Sequence, residues 1–185
     1  MRELRDLYDE FGNKTELTYY KGDEISKGYY PMVVMIAIEN SDGKFLMQKR
    51  VPEKGGDYGV TGGHPKSGET PYEGIITEVK EELGIDASVS DLHFVDKFVI
   101  NYKKEFYGKM FKDSEIAFVY VYTGSVDIDK LTLQKEELDR VDWFNLEYVY
   151  EECKKHNQKF CAPIDGLEIA RKYVCEYGIW DGFWW

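Results

Sequence analysis

The order of periodicities along this chain of 185 residues predicts an α/β fold, with a mixed β-sheet layered between helices as an α/β/α sandwich. Three observations lead there. Strand-type runs rich in β-branched and aromatic residues fall both before and after one strongly signalled helix. That helix is amphipathic. Two further helical patterns close the chain. Hydrophobic residues make up 43%, enough for a packed core, and the length suits a single domain. Its core is expected over about residues 1–150, with a C-terminal helical segment over about 151–185.

The opening LRDLYDEFGNKTELTYYKG alternates turn residues with Leu and Tyr, which predicts a short hairpin around Gly12-Asn13. Met32 to Glu39 is a buried strand, and the turn at Asp42-Gly43 leads into a second, KFLMQKR. Residues 51–61 are Gly-rich and predict a loop. Thr70 then offers an N-cap, Pro71 suits the first helical position and Glu73 completes a capping box. Gly84 is the matching C-terminal stop. Ile75, Val79 and Leu83 line one face of this helix. HFVDKFVI, EIAFVYVYTG and VDWF read as later strands. A helix follows from about Leu146, and GLEIARKYVCEYGIW is a second, with Ile169, Tyr173 and Tyr177 along one side.

The formal net charge of −11 repels nucleic-acid backbones, so a nucleic-acid polymer is not an expected partner. No apolar run has the length of a membrane span, and MRELRDLYDEFGNK lacks a secretory core, so a cytoplasmic location and no membrane partner are expected. Cys153, Cys161 and Cys175 form no CxxC spacing and are expected as reduced core thiols. Trp180, Phe183, Trp184 and Trp185 suggest a packing patch or a subunit contact, which makes a homodimer reasonable.

Chemistry concentrates in GHPKSGETPYEGIITEVKEELGI. Glu78, Glu81 and Glu82 stand three and four residues apart, on one face of the predicted helix. Acids packed so closely repel one another unless a cation sits among them, and an oxygen-only donor set suits Mg²⁺ or Mn²⁺. A cation so held usually meets phosphate. A small phosphorylated substrate is therefore the expected partner, with the metal reversing the repulsion of an acidic protein.

The segment resembles the signature of the Nudix hydrolases, Gx5Ex7REUxEExGU with U aliphatic. Gly63, Glu69, Glu78, Val79, Glu81, Glu82, Gly84 and Ile85 fall in register, whereas Thr77 stands where the family has Arg. Thr77 lacks both the charge and the planar fork with which that Arg orients a motif glutamate. The resemblance implies a Nudix fold and a catalytic site at Glu78, Glu81 and Glu82. These acids would hold divalent metal, with Gly62 beside it, while a water attacks a nucleoside diphosphate linked to another moiety. Glu69 resembles the family's loop acid, in a supporting role with Thr77 and Gly84. The general base is a motif glutamate, Glu115 or Glu105. Lys49 and Arg50 either contact the diphosphate or form an exposed basic strand end. Gly62 and Gly63 let the backbone come close to metal or phosphate. His64 is a ligand, a substrate contact or a turn histidine.

LYDEFGNKT, GKFLMQKR and GGHPKSGE also resemble the branch of the superfamily that includes type I isopentenyl-diphosphate isomerase. That enzyme carries a catalytic cysteine where this chain has Gly62, and metal-binding histidines near the place of Tyr29, Tyr30 and Pro31. Only His64, Asp113 and Glu115 echo it. An isomerase would need a substitute proton donor such as Tyr58 or Glu115. The acids favour hydrolysis, and Thr77 leaves a catalytically weak metal- or nucleotide-binding protein as a further alternative.

Overall fold

A computed structural model describes residues 2–106 and 109–177, apart from the side chains of residues 102–113 and Tyr177. Trp180, Phe183, Trp184 and Trp185 lie outside the described residues, as do the side chains of Glu105 and Asp113. The strands are β1 (Leu4–Tyr8), β2 (Lys14–Tyr20), β3 (Tyr30–Ile38), β4 (Lys44–Arg50), β5 (Tyr58–Gly59), β6 (Thr61–Gly63), β7 (Leu92–Phe106), β8 (Lys109–Tyr122) and β9 (Leu138–Asn145). The helices are α1 (Pro71–Leu83), α2 (Leu146–Lys154) and α3 (Ile164–Tyr177).

The larger sheet runs β2-β1-β3-β8-β7, with β6 also paired to β3. β3 and β8 are parallel, from Met32 opposite Ile116 to Ile38 opposite Tyr122, and the other pairings are antiparallel, so the sheet is mixed. A smaller antiparallel sheet runs β5-β4-β9.

Strand alternation divides the interior in two. Val34, Ile36, Ile38, Ile116, Phe118 and Tyr120 share one apolar cluster with Ile75, Val79 and Leu83 of α1. Ala37 and Val121 belong to the other, with Leu146 and Val149 of α2 and Leu167 and Ala170 of α3. β3 and β8 thus read as nearly continuous apolar runs because helices cover both faces.

Three local expectations change. Residues 51–61 hold a turn of 3₁₀ helix at Pro52–Lys54, strand β5 and the start of β6. Backbone pairing of Gly62 and Gly63 to β3 makes β6, and glycines give no side-chain pattern by which to foresee it. Of the cysteines, only Cys153 is buried; Cys161 and Cys175 are exposed. On α3 the buried positions are Gly166, Leu167 and Ala170, with Tyr173 and Val174 packed beside them, and Ile169 is half-buried outside that group.

Candidate active site

Local sequence fixes α1 at both ends. Thr70 Oγ1 accepts from the Glu73 N–H at 3.2 Å, and Glu73 Oε2 accepts from the Thr70 N–H at 2.8 Å, which satisfies two otherwise orphaned donors. Gly84, at φ 73°, ends the helix, its N–H donating to Lys80 O. With Ile75, Val79 and Leu83 fully buried, Glu78, Glu81 and Glu82 are carried to a cleft of about 550 Å³.

Glu82 is only 8% exposed. Its Oε2 accepts from Gln48 Nε2 at 2.9 Å and from the Gly62 N–H at 3.2 Å, and Gln48 also donates to Thr61 Oγ1 at 2.8 Å. Burial pushes the Glu82 carboxyl up to about 8; repulsion from Glu78 and Glu137 adds to this, while Gln48 and the Gly62 N–H oppose it. Burial also raises Glu78, with Glu81 contributing repulsion. A Cβ on Gly63 would overlap the Glu78 carboxylate where it stands, so a larger residue there would push that carboxylate aside. Exposed Glu81 lies 3.4 Å from Lys66 Nζ.

The surrounding loop is tied to these acids. Glu69 Oε2 accepts from the Lys66 N–H at 2.6 Å, and Thr77 Oγ1 donates to Glu69 Oε1 at 3.4 Å. Thr77 therefore reaches the loop acid weakly, where a guanidinium would make a forked, charged contact. His64 lines the cleft with Nε2 2.6 Å from Glu115 Oε1, and Glu115 sits behind it rather than on the wall. Arg50 lines the cleft and pairs with Asp57 at 2.5 Å. Lys49 turns elsewhere, donating to Gly56 O and lying 5.0 Å over the Tyr58 ring. Tyr58 is buried and donates to Asp142 Oδ2 at 2.5 Å, which withdraws it from proton donation in the cleft.

The cleft also recruits residues that the sequence pattern does not single out: Gln48, Glu137, Lys54, Lys66 and Cys161, together with Glu3, Arg5 and Lys21 of the N-terminal hairpin. Gln48 alone had a local signal, as an uncharged polar residue directly after the apolar run Phe45, Leu46, Met47 in β4. The wall is charged with both signs. Acids of α1 face a cleft that also contains Arg5, Lys21, Arg50, Lys54 and Lys66.

Among the described residues no three His, Cys, Asp or Glu side chains form a ready-made metal cluster. Glu81 is turned to Lys66 and Glu82 to Gln48, so their oxygens do not converge. The donor chemistry nevertheless fits a hard divalent cation. The donors are carboxylates on one helix face. Glu78 and Glu82 are raised by burial, and among the described residues neither has a cation at ion-pair distance.

The profile of the NUDIX domain matches residues 29–162, and the chain belongs to the Nudix family. It is 31% identical over 147 residues to an uncharacterized Nudix hydrolase of Clostridium acetobutylicum, covering 74% of this chain and 66% of that protein. An uncharacterized Nudix hydrolase of Listeria innocua is 32% identical over 138 residues, 72% of this chain and 74% of its own. Among solved structures, DR0079 from Deinococcus radiodurans matches with a TM-score of 0.66 at 18% identity, over 92% of this chain and 98% of its own. The MutT protein from Methanosarcina mazei matches with a TM-score of 0.57 at 23% identity, over 80% and 94%. These last two likenesses show the Nudix fold. No helix among the described residues is long and apolar enough to cross a membrane.

Proposed function

We propose that the protein hydrolyses a phosphoanhydride bond in a nucleoside diphosphate linked to another moiety, using Mg²⁺ or Mn²⁺ held by Glu78, Glu81 and Glu82 beside Gly62. One observation carries this reading: two raised carboxyls, buried Glu82 and half-buried Glu78, stand on the signature helix with no cation at ion-pair distance among the described residues, in a cleft with five basic side chains. When bound, the cation would neutralise the acids and polarise the diphosphate oxygens.

The remaining work falls to the chain itself. Gln48 and the Gly62 N–H hold Glu82 in place, and Gly63 leaves room for Glu78. Arg50, Lys54 and Lys66 supply positive charge for phosphate oxygens. His64 faces the cleft with Glu115 on one ring nitrogen, so its other nitrogen is the group to receive a proton from the attacking water, and Glu115 steadies the ring.

Phosphate release across a panel of nucleotide diphosphate derivatives, with Mg²⁺ and with Mn²⁺, tests the assignment. Turnover by the wild type, abolished in Glu82→Gln, is expected. Unchanged turnover in that variant overturns the reading, and tight metal binding without any turnover identifies a binding protein instead. Cys161 gives a second reading some footing, since an exposed thiol in the cleft supplies a proton donor that an isomerase would need. Incubation with isopentenyl diphosphate, and its repetition with Cys161→Ala, decides between the two.

A further inference from the structure

The hairpin of β1 and β2 precedes the residues matched by the NUDIX profile, yet it forms part of the cleft wall. Asp6 fastens it there. Its carboxylate accepts from Ser67 Oγ at 2.7 Å and from the Gly68 N–H at 2.9 Å, while the Ser67 N–H donates to Leu4 O at 3.1 Å. β1 is thus tied to the loop that leads into α1.

From the same strand Arg5 enters the cleft. Its side chain is 9% exposed, unusual for a residue normally left in water. Nη2 donates to Glu3 Oε2 at 3.1 Å. Nε is buried and has no hydrogen-bond partner, and no other described side-chain atom is in that condition. A guanidinium offers five N–H donors in a planar fork, suited to two oxygens of one anion. Glu3 meets Nη2 alone and is itself partly exposed, with Lys21 Nζ 3.9 Å away. A purely structural ion pair gives no reason to bury the neighbouring Nε–H donor unsatisfied.

We propose that Arg5 is a substrate-binding residue whose guanidinium receives phosphate oxygens of the diphosphate substrate, with Glu3 occupying that place until the substrate displaces it. This rests on the hydrolase reading above and extends the binding site beyond the family domain. The N-terminal hairpin becomes a functional part of the cleft.

Two titrations separate this assignment from the one it rests on. Mn²⁺ alone reports the acids of α1, and Arg5→Gln should bind it as the wild type does. Inorganic pyrophosphate, titrated into the Mn²⁺-loaded protein, should bind about tenfold more weakly to Arg5→Gln, with Arg5→Lys in between. Arg2→Gln, outside the cleft, should match the wild type. In ¹⁵N-arginine-labelled wild type, which needs no variant to fold, one Nε–Hε resonance should move as pyrophosphate is added and be missing from Arg5→Lys. Equal pyrophosphate affinity in wild type and Arg5→Gln, no pyrophosphate binding in the wild type, or an unmoved Arg5 resonance overturns the role of Arg5. A silent Mn²⁺ titration overturns the metal reading instead.

Discussion

Glu82 joins stability to the proposed metal site in one carboxyl. Its folded value of about 8 lies above the ordinary 4.5, so the folded protein holds a proton that the unfolded chain releases between those values. The resulting contribution to stability is complete below pH 4.5 and is lost as pH rises towards 8, at no more than about 1.4 kcal/mol per pH unit. In chelator, Glu82→Gln should therefore melt close to the wild type near pH 5 and above it near pH 8, read by thermal unfolding at both values. A wild type that gains on Glu82→Gln as pH rises would contradict the buried, unpaired state of this acid. Thr77 offers the complementary test. An arginine there can make a forked contact to Glu69, where the hydroxyl makes a single hydrogen bond at 3.4 Å. Thr77→Arg should raise kcat about tenfold, on the order of one charge-assisted hydrogen bond, in steady-state kinetics.

At the level of elements, α1 is the part of the fold most legible in sequence, because everything that defines it is local. Thr70, Glu73 and Gly84 act on neighbours within the same helix, and each does in the structure what its spacing foretold. Thr70→Ala should cost about 1 kcal/mol, measured by denaturant unfolding, since the cap leaves the Glu73 N–H unpaired. β3, β4 and β8 were equally readable from their apolar runs, and the hairpin from its turn at Gly12. What stayed hidden depends on distant partners. β6 exists because Gly62 and Gly63 pair with β3, and the cysteines differ in burial because only Cys153 faces the α2–α3 core. The site divides in the same way. Its acids were visible as a pattern on one helix, whereas Gln48, Glu137 and Arg5 reach it from strands and loops far away in sequence. Lys49 and Arg50 could not be told apart as neighbours; the structure sends one to Gly56 and the other to the cleft.

For the whole molecule, the two helical layers leave the signature helix on one face of the sheet, while a strongly acidic chain gathers basic side chains at one cleft. A cation that binds only the folded state should stabilise it by about 2.7 kcal/mol at a hundredfold excess over Kd, so Tm should rise with the logarithm of its free concentration. Mn²⁺ should therefore stabilise the wild type and leave Glu82→Gln almost unmoved in the same thermal scans. A shift of equal size in both would place the metal elsewhere. The in-register parallel pairing of β3 with β8 has a further consequence, for the order in which the protein matures. In the order of synthesis α1 and all its acids precede β8, so the helix leaves the ribosome ahead of the strand. Until that late strand arrives, the sheet beneath the helix is incomplete, and such distant pairings assemble slowly. A complete cleft should thus be among the last features a newly made molecule acquires, after its most recognisable segment has been made.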